Sequence, residues 1–279
     1  VLVVLLARPR DGERAWGQAW QGLIAVALLF SAGTFATHAI EVRTDTFTTP
    51  LALAAVLLLW HQPRRRGALF LLGPVICVAA PLLISQKALY ASVGITLAWL
   101  VARPTAEPDR PPRSWRLRDA AVAVGGVLGL VVVWYACLAL ISSTGMDFVD
   151  RNLSTATRTA FTANIDLGTK AAWLWDVVGR ALPLYALALV GGPVAAVRRE
   201  GRTLALALVA LVMLGVIVVH RGFFPYYIAS IAPLMAVPAA RGATAIAGGF
   251  AALCGRLVPR PWALRLGALP VLLALALAA

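Results

Sequence analysis

The sequence predicts an all-α integral membrane protein, a polytopic bundle of transmembrane helices with about eight complete spans and a partial span at each end. Three observations predict it. Of the 279 residues, 61% are apolar and 13% are charged. Soluble domains run at roughly 45–50% and about 25%, so this chain has too little polar surface to cover itself in water. Several uncharged runs approach the roughly 20 residues that a helix rising about 1.5 Å per residue needs to cross a hydrocarbon core near 30 Å thick. Finally, runs such as "TLALALVALVMLGVIVV" (Thr203 to Val219) are apolar on every face, whereas a barrel strand alternates in polarity over about ten residues. Soluble enzyme folds, disordered tails and membrane barrels are excluded.

In chain order, "VLVVLLARPR" reads as the last turns of a crossing helix, with no charged segment and small-residue cleavage site of a signal peptide. Spans are then expected at Trp20 to Ala39, Thr46 to Trp60, Gly67 to Ile84 and Ala88 to Ala102. These make an N-terminal half, residues 1–102. Residues 103–119 hold five arginines and four prolines (Pro104, Pro108, Pro111, Pro112), which favour an extended, solvated linker. The second half, 120–279, is expected to span at Ala120 to Ser142, Trp173 to Val197, Thr203 to Val219 and Tyr226 to about Cys254. It ends in "LGALPVLLALALAA", the start of a further span. The polar segment 143–172 between two of these spans can form a short amphipathic helix on the membrane surface. "VGGVLG" (Val124 to Gly129) falls inside a span, where small residues favour close helix packing and do not signal a nucleotide site. Cys77, Cys137 and Cys254 lie in or beside apolar runs without metal-ligand spacing and read as buried small hydrophobes.

The net charge of +13 points to topology and not to nucleic acid. Basic residues near span ends accumulate on the cytoplasmic side. One set of alternate connections carries seventeen, grouped around Arg8, Arg64 to Arg66, Arg103 to Arg118, Arg198 to Arg202 and Arg256 to Arg265; the other carries seven, with Arg241 left inside the last long helix. This alternation places the N-terminal flank of Trp20 in the cytoplasm. Two lysines against 23 arginines is the composition of a GC-rich bacterial coding sequence.

Polar groups cluster on the arginine-poor side. "HAIEVRTDTF" brings His38, Glu41, Arg43 and Asp45; the hairpin "ISQKAL" brings Lys87; "HRGFFPYY" brings His220, Arg221, Tyr226 and Tyr227; and the long connection carries Asp147, Asp150, Arg151, Asn152 and Arg158. Bundling lets Arg43, Lys87 and Arg221 converge at headgroup depth as an anion site. Each has an ordinary alternative: an interfacial Arg43–Asp45 ion pair, a snorkelling Lys87, an aromatic belt at Tyr226 and Tyr227, and packed histidines. No phosphate-cradling glycine loop, metal-ligand cluster or nucleophile elbow occurs, so no metal or organic cofactor is expected.

The stretches "EVRTDTFTTPLALAAVLLLW", "LLGPVICVAAPLLISQKALYASVGITLAWLV" and "HRGFFPYYIASIAPLMAVPAA", with "VVVWYACLAL" before the long outer connection, resemble membrane-embedded glycosyltransferases of the GT-C class. The likeness is to the bacterial branch of the dolichyl-phosphate-mannose protein mannosyltransferase superfamily, which includes the aminoarabinose transferases acting on lipid A. The resemblance implies a GT-C-like bundle in a bacterial inner membrane that moves a sugar from a polyprenyl-phosphate donor to a protein, lipid or glycan acceptor at the periplasmic face. By position it implies that Arg43, Lys87 and Arg221 neutralise the donor phosphate and that Asp45 orients Arg43. Tyr226 and Tyr227, with Glu41 and His220, would line the substrate path. The family's acidic pair belongs to a first outer loop, and the chain is expected to begin beyond it, so neither Glu41 nor Asp45 takes that role. Two other classes fit the outer charges: a transporter or lipid flippase, weakened by the near absence of charge inside the spans, and a polysaccharide polymerase or ligase using lipid-linked sugars.

Overall fold

The computed structural model describes residues 3, 15–32, 35, 48–60, 69–84, 88–101, 113–141, 165–219, 228, 230–256 and 260–276. No strand occurs among them. The helices are α1 (Ala15–Ser31), α2 (Thr48–Trp60), α3 (Leu69–Ile84), α4 (Ala88–Val101), α5 (Arg113–Ile141), α6 (Leu167–Gly179), α7 (Leu182–Val197), α8 (Gly201–Val219), α9 (Ala232–Cys254) and α10 (Arg260–Ala276).

The count of about eight spans is not supported. Among the described residues three helices are long and apolar enough to cross a membrane, Leu117–Ile141, Gly201–Val219 and Ala232–Cys254, and the bent pair α6 and α7 makes a fourth if taken as one span. Trp20–Ser31, Thr48–Trp60, Leu71–Leu83 and Ala88–Val101 are apolar but shorter. At about 1.5 Å per residue they reach roughly 18–21 Å, less than the hydrocarbon thickness. An apolar run registers burial, whether in lipid or in protein. These four helices direct Leu28, Val56, Ala79 and Ala98 into the interior of the bundle.

The bundle is organised around the first half of α9, where Ala232 to Ala240 are all buried. Against it crosses α7. A Cβ placed on Gly191 would overlap the Pro238 carbonyl oxygen and sit 2.8 Å from the Gly242 amide nitrogen; one on Gly242 would overlap the Leu187 carbonyl and sit 3.0 Å from the Gly191 nitrogen. The two backbones touch, and only glycine at both positions permits it. α8 packs on α9 and α7, and also on α4, where a Cβ on Gly94 would lie 3.0 Å from the Val209 Cα. α1 lies along the other side of α9, with Gln21 Nε2 donating to Thr244 Oγ1 at 3.4 Å.

Short turns and caps fix the directions. α7 ends with the Glu200 N–H donating to the Ala195 carbonyl at 2.8 Å and the Arg199 N–H to Ala196 at 3.1 Å. This double closure needs a left-handed residue, and Arg199 supplies it at φ 56°. The turn delivers Glu200 to Arg241, the charge that the sequence left inside the last long helix, and the two form an ion pair. Trp60 and Trp99 meet edge to face, with centroids 5.4 Å apart, joining the ends of α2 and α4.

Two further expectations change. The apolar run Trp173 to Val197 is not one straight helix: it breaks at Arg180 and Ala181, and α6 and α7 meet at 94°. Gly179 ends the first helix and Pro183 fits the first turn of the second, where a missing N–H costs nothing. Similarly, residues 113–119 of the expected linker form the opening turns of α5, directly after Pro112. α5 is also the outermost helix, none of its apolar window being buried in protein. Leu128, Val132, Leu140 and Ile141 face outward, and so does Cys137, read from the sequence as buried. Such a surface belongs in lipid, where a thiol on the outside of a helix is still in apolar surroundings.

The α7–α9 crossing yields a test. Gly191→Ala or Gly242→Ala forces the backbones apart and costs about 1–3 kcal/mol. Gly192→Ala, whose Cβ would sit at 3.9 Å from Ala207, is neutral. Thermal unfolding in detergent should show lower midpoints for the first two variants only.

Candidate functional site

All eight residues named from the sequence, Glu41, Arg43, Asp45, Lys87, His220, Arg221, Tyr226 and Tyr227, lie outside the described residues, as do His38 and 143–164 of the long connection. The helix ends that flank them are described, and two of them are joined. Thr49 Oγ1, at the start of α2, donates to the Ser230 carbonyl at 3.0 Å, just before α9. Hence the start of α2 and the residues just before α9 lie side by side. α4 packs on α8, with Gly94 against Val209. The described turns after α7 and α9 carry Arg198, Arg199 and Arg256.

Two buried polar groups lie near these helix ends. The Thr48 hydroxyl is buried with no hydrogen-bond partner among the described residues. The Tyr185 hydroxyl and the Trp60 indole N–H share that condition among the described residues. The second is Lys170 on α6, 7% exposed, whose Nζ donates to the Val218 carbonyl at 3.0 Å, in the last turn of α8. The sequence placed Lys170 among the basic residues of the arginine-poor side but gave it no role. Its spacing held the signal: Lys170, Trp173, Leu174 and Val177 follow a helical period and form the inward face of α6.

The surface helix expected within 143–172 falls mostly outside the described residues, and α6 (Leu167–Gly179) begins the apolar stretch expected as a span. Its start is set by Asp166, whose carboxylate accepts the Thr169 N–H at 2.8 Å together with the Thr169 hydroxyl. These bonds hold the Asp166 carboxyl below the usual range of carboxylates, the Thr169 hydroxyl contributing most. Its outward face carries Leu167 and Trp175, 72% and 75% exposed. α6 turns into α7 at 94°.

A cavity of about 320 Å³ lies between α3, α4 and α5, lined by Leu82, Leu89, Val93, Trp99, Val127 and their neighbours. Leu82 and Leu89 stand on the two sides of the 85–87 connection. From Leu89 to Trp99 along α4 is about 15 Å at the helical rise. The two hydroxyls on its wall are satisfied within their own helix: Ser92 donates to the Ala88 carbonyl at 2.8 Å and Thr96 to the Ser92 carbonyl at 2.9 Å. What remains is almost entirely hydrocarbon surface, with Asp119 at the arginine-rich end. Such a space takes a hydrocarbon chain and stays dry without one.

Comparison with family models, curated proteins and solved structures gives no match for the chain.

The Asp166 cap carries a pH signature. Its folded pKa lies below the unfolded one, near 3.9, so the cap's contribution is complete above that unfolded value and is lost as pH falls through the folded one. Amide exchange at Thr169, corrected for its intrinsic rate, should lose protection over that acid window in the wild type. In Asp166→Asn, which caps without titrating, it should stay constant.

Proposed function

We propose that the protein is a glycosyltransferase that takes a sugar from a polyprenyl-phosphate donor and passes it to an acceptor at the extracytoplasmic face of a bacterial cytoplasmic membrane. The observation that carries this reading is the hydrocarbon-lined cavity between α3, α4 and α5, which reaches Leu82 and Leu89 on either side of the hairpin whose sequence bears Lys87. A polyprenyl-phosphate has two parts with opposite needs. Its chain requires a dry apolar slot, and its phosphate requires cations at the mouth of that slot. The Thr49–Ser230 hydrogen bond, which joins the start of α2, after Arg43 in sequence, to residue 230, after Arg221, supports the same arrangement.

In this reading the acceptor hydroxyl oxygen attacks the anomeric carbon from the face opposite the phosphate. The carbon–oxygen bond to phosphate breaks with inversion, the phosphate leaves with the electron pair, and the hydroxyl proton goes to a carboxylate base. Arg43, Lys87 and Arg221 stabilise the negative charge that accumulates on the leaving phosphate, most strongly where water is scarce. Asp45 orients Arg43, while Glu41, His220, Tyr226 and Tyr227 line the sugar and lipid path. The arginine-rich turns face the cytoplasm.

The 94° break between α6 and α7 favours a second reading, because transporters build their sites from broken helices. A flippase moves the phosphate lipid without cleaving it, so release of polyprenyl phosphate from a sugar-loaded donor separates the two.

The test uses defined lipids with the purified protein. Native mass spectrometry should show undecaprenyl phosphate bound about tenfold or more tightly than undecaprenol, as charge-assisted bonds to phosphate require. Arg43→Ala and Arg221→Ala should abolish transfer while leaving expression intact, and Val127→Trp should displace both lipids by filling the slot. Equal binding of the two lipids, or wild-type transfer in both arginine variants, would reject the assignment.

A further inference from the structure

We propose that α6 is an in-plane helix seated at the boundary between membrane and water, with zwitterionic lipid as its partner; none of the sugar chemistry above is needed for it. At about 3.6 residues per turn, Leu167, Ala171, Trp175 and Val178 fall on one flank of α6, and Thr169, Asp176 and Arg180 fall on a second flank roughly 160° away. Lys170, Trp173 and Val177 lie between the two flanks and turn to the protein. Leu167 and Trp175 are largely exposed, and Asp176 and Arg180 are more than half exposed while paired with each other. The charged flank is costly in hydrocarbon and the apolar flank is costly in water. The interface offers both surroundings on opposite sides of one helix.

Depth follows from a neighbour. α8 is long and apolar enough to cross a membrane. At about 1.5 Å per residue its 19 residues reach roughly 28 Å, close to a hydrocarbon thickness near 30 Å. Its last turn therefore stands at a boundary. There the Lys170 Nζ donates to the Val218 carbonyl at 3.0 Å, which holds α6 at the same level. The axis agrees with that level. α7 runs into the bundle to cross α9 on touching backbones, and α6 leaves its direction at 94°, along the surface. Trp175 is the residue type that settles among lipid headgroups. Arg180 is engaged by Asp176 and Lys170 is turned inward, so this seat does not call for anionic lipid.

Spin labels read the seat directly. The full chain, with Cys77, Cys137 and Cys254 replaced by alanine, carries one label at a time in phosphatidylcholine vesicles. Labels at Leu167→Cys, Ala171→Cys and Trp175→Cys should collide chiefly with oxygen, and a label at Asp176→Cys chiefly with a water-soluble nickel chelate. Leu167 and Trp175 lie about 12 Å apart along the helix, yet their labels should report one depth. Both should be shallower than a label at Val132→Cys, on the outer face of α5. A depth that changes by about 12 Å from 167 to 175, with no difference between 175 and 176, makes α6 part of a broken span and overturns the proposal. Collision dominated by nickel at all four α6 positions puts the helix in water and overturns it equally. Should Trp175→Cys fail to fold, Val178→Cys on the same flank takes its place.

Discussion

The contact on which the rest of the molecule depends is the crossing of α7 over α9, where Gly191 and Gly242 let two backbones touch. A membrane interior offers little hydrophobic drive for helix association, since lipid tails are as apolar as leucine. Close packing must supply what water exclusion supplies elsewhere. The crossing seats the first half of α9 at the centre, and α1, α2 and α8 collect around it. It also fixes the start of α9, and through Ser230 and Thr49 the start of α2. The geometry of the candidate phosphate end is thus set some turns away, inside the bundle.

The polar groups within the body follow the same economy. Arg241 stands in a buried stretch of α9, where an unpaired guanidinium would be costly, and Glu200 is brought to it by a turn whose left-handed residue is Arg199. Breaking one partner of such a pair is far more damaging than its net contribution to stability indicates. Ser92 and Thr96 spend their hydroxyls on their own helix, which leaves the wall of the α3–α5 cavity apolar. Among the described residues the Thr48 and Tyr185 hydroxyls and the Trp60 indole N–H are buried without a hydrogen-bond partner, and Lys170 is buried with its Nζ on the Val218 carbonyl.

Much of the helical architecture was legible in the sequence. The uncharged run of α8 could be nothing but a buried helix, and its observed bounds differ from the expected ones by two residues at the start. Direction and depth were not legible. Trp173 to Val197 reads as one apolar run because hydropathy is blind to a change of axis; Gly179 and Pro183 are the local signals of the break. The span count was too high for a related reason: α2 and α4 are apolar because they pack on other helices as well as because they adjoin lipid. The candidate residues were chosen by charge asymmetry and resemblance, and the described helix ends bear on where their segments emerge. Lys170 escaped notice because a lysine in a polar stretch reads as solvated, and only coordinates show it turned inward.

The central claim is that a lipid-borne phosphate is held at the candidate phosphate end of the bundle with its chain in the α3–α5 cavity. The most direct measurement is an electron cryomicroscopy structure of the protein in nanodiscs loaded with undecaprenyl phosphate. The account predicts phosphate density within hydrogen-bonding reach of Lys87 and Arg221, and chain density passing between Leu82 and Leu89. Phosphate density at the arginine-rich end, or those two side chains turned into separate surroundings, would contradict it.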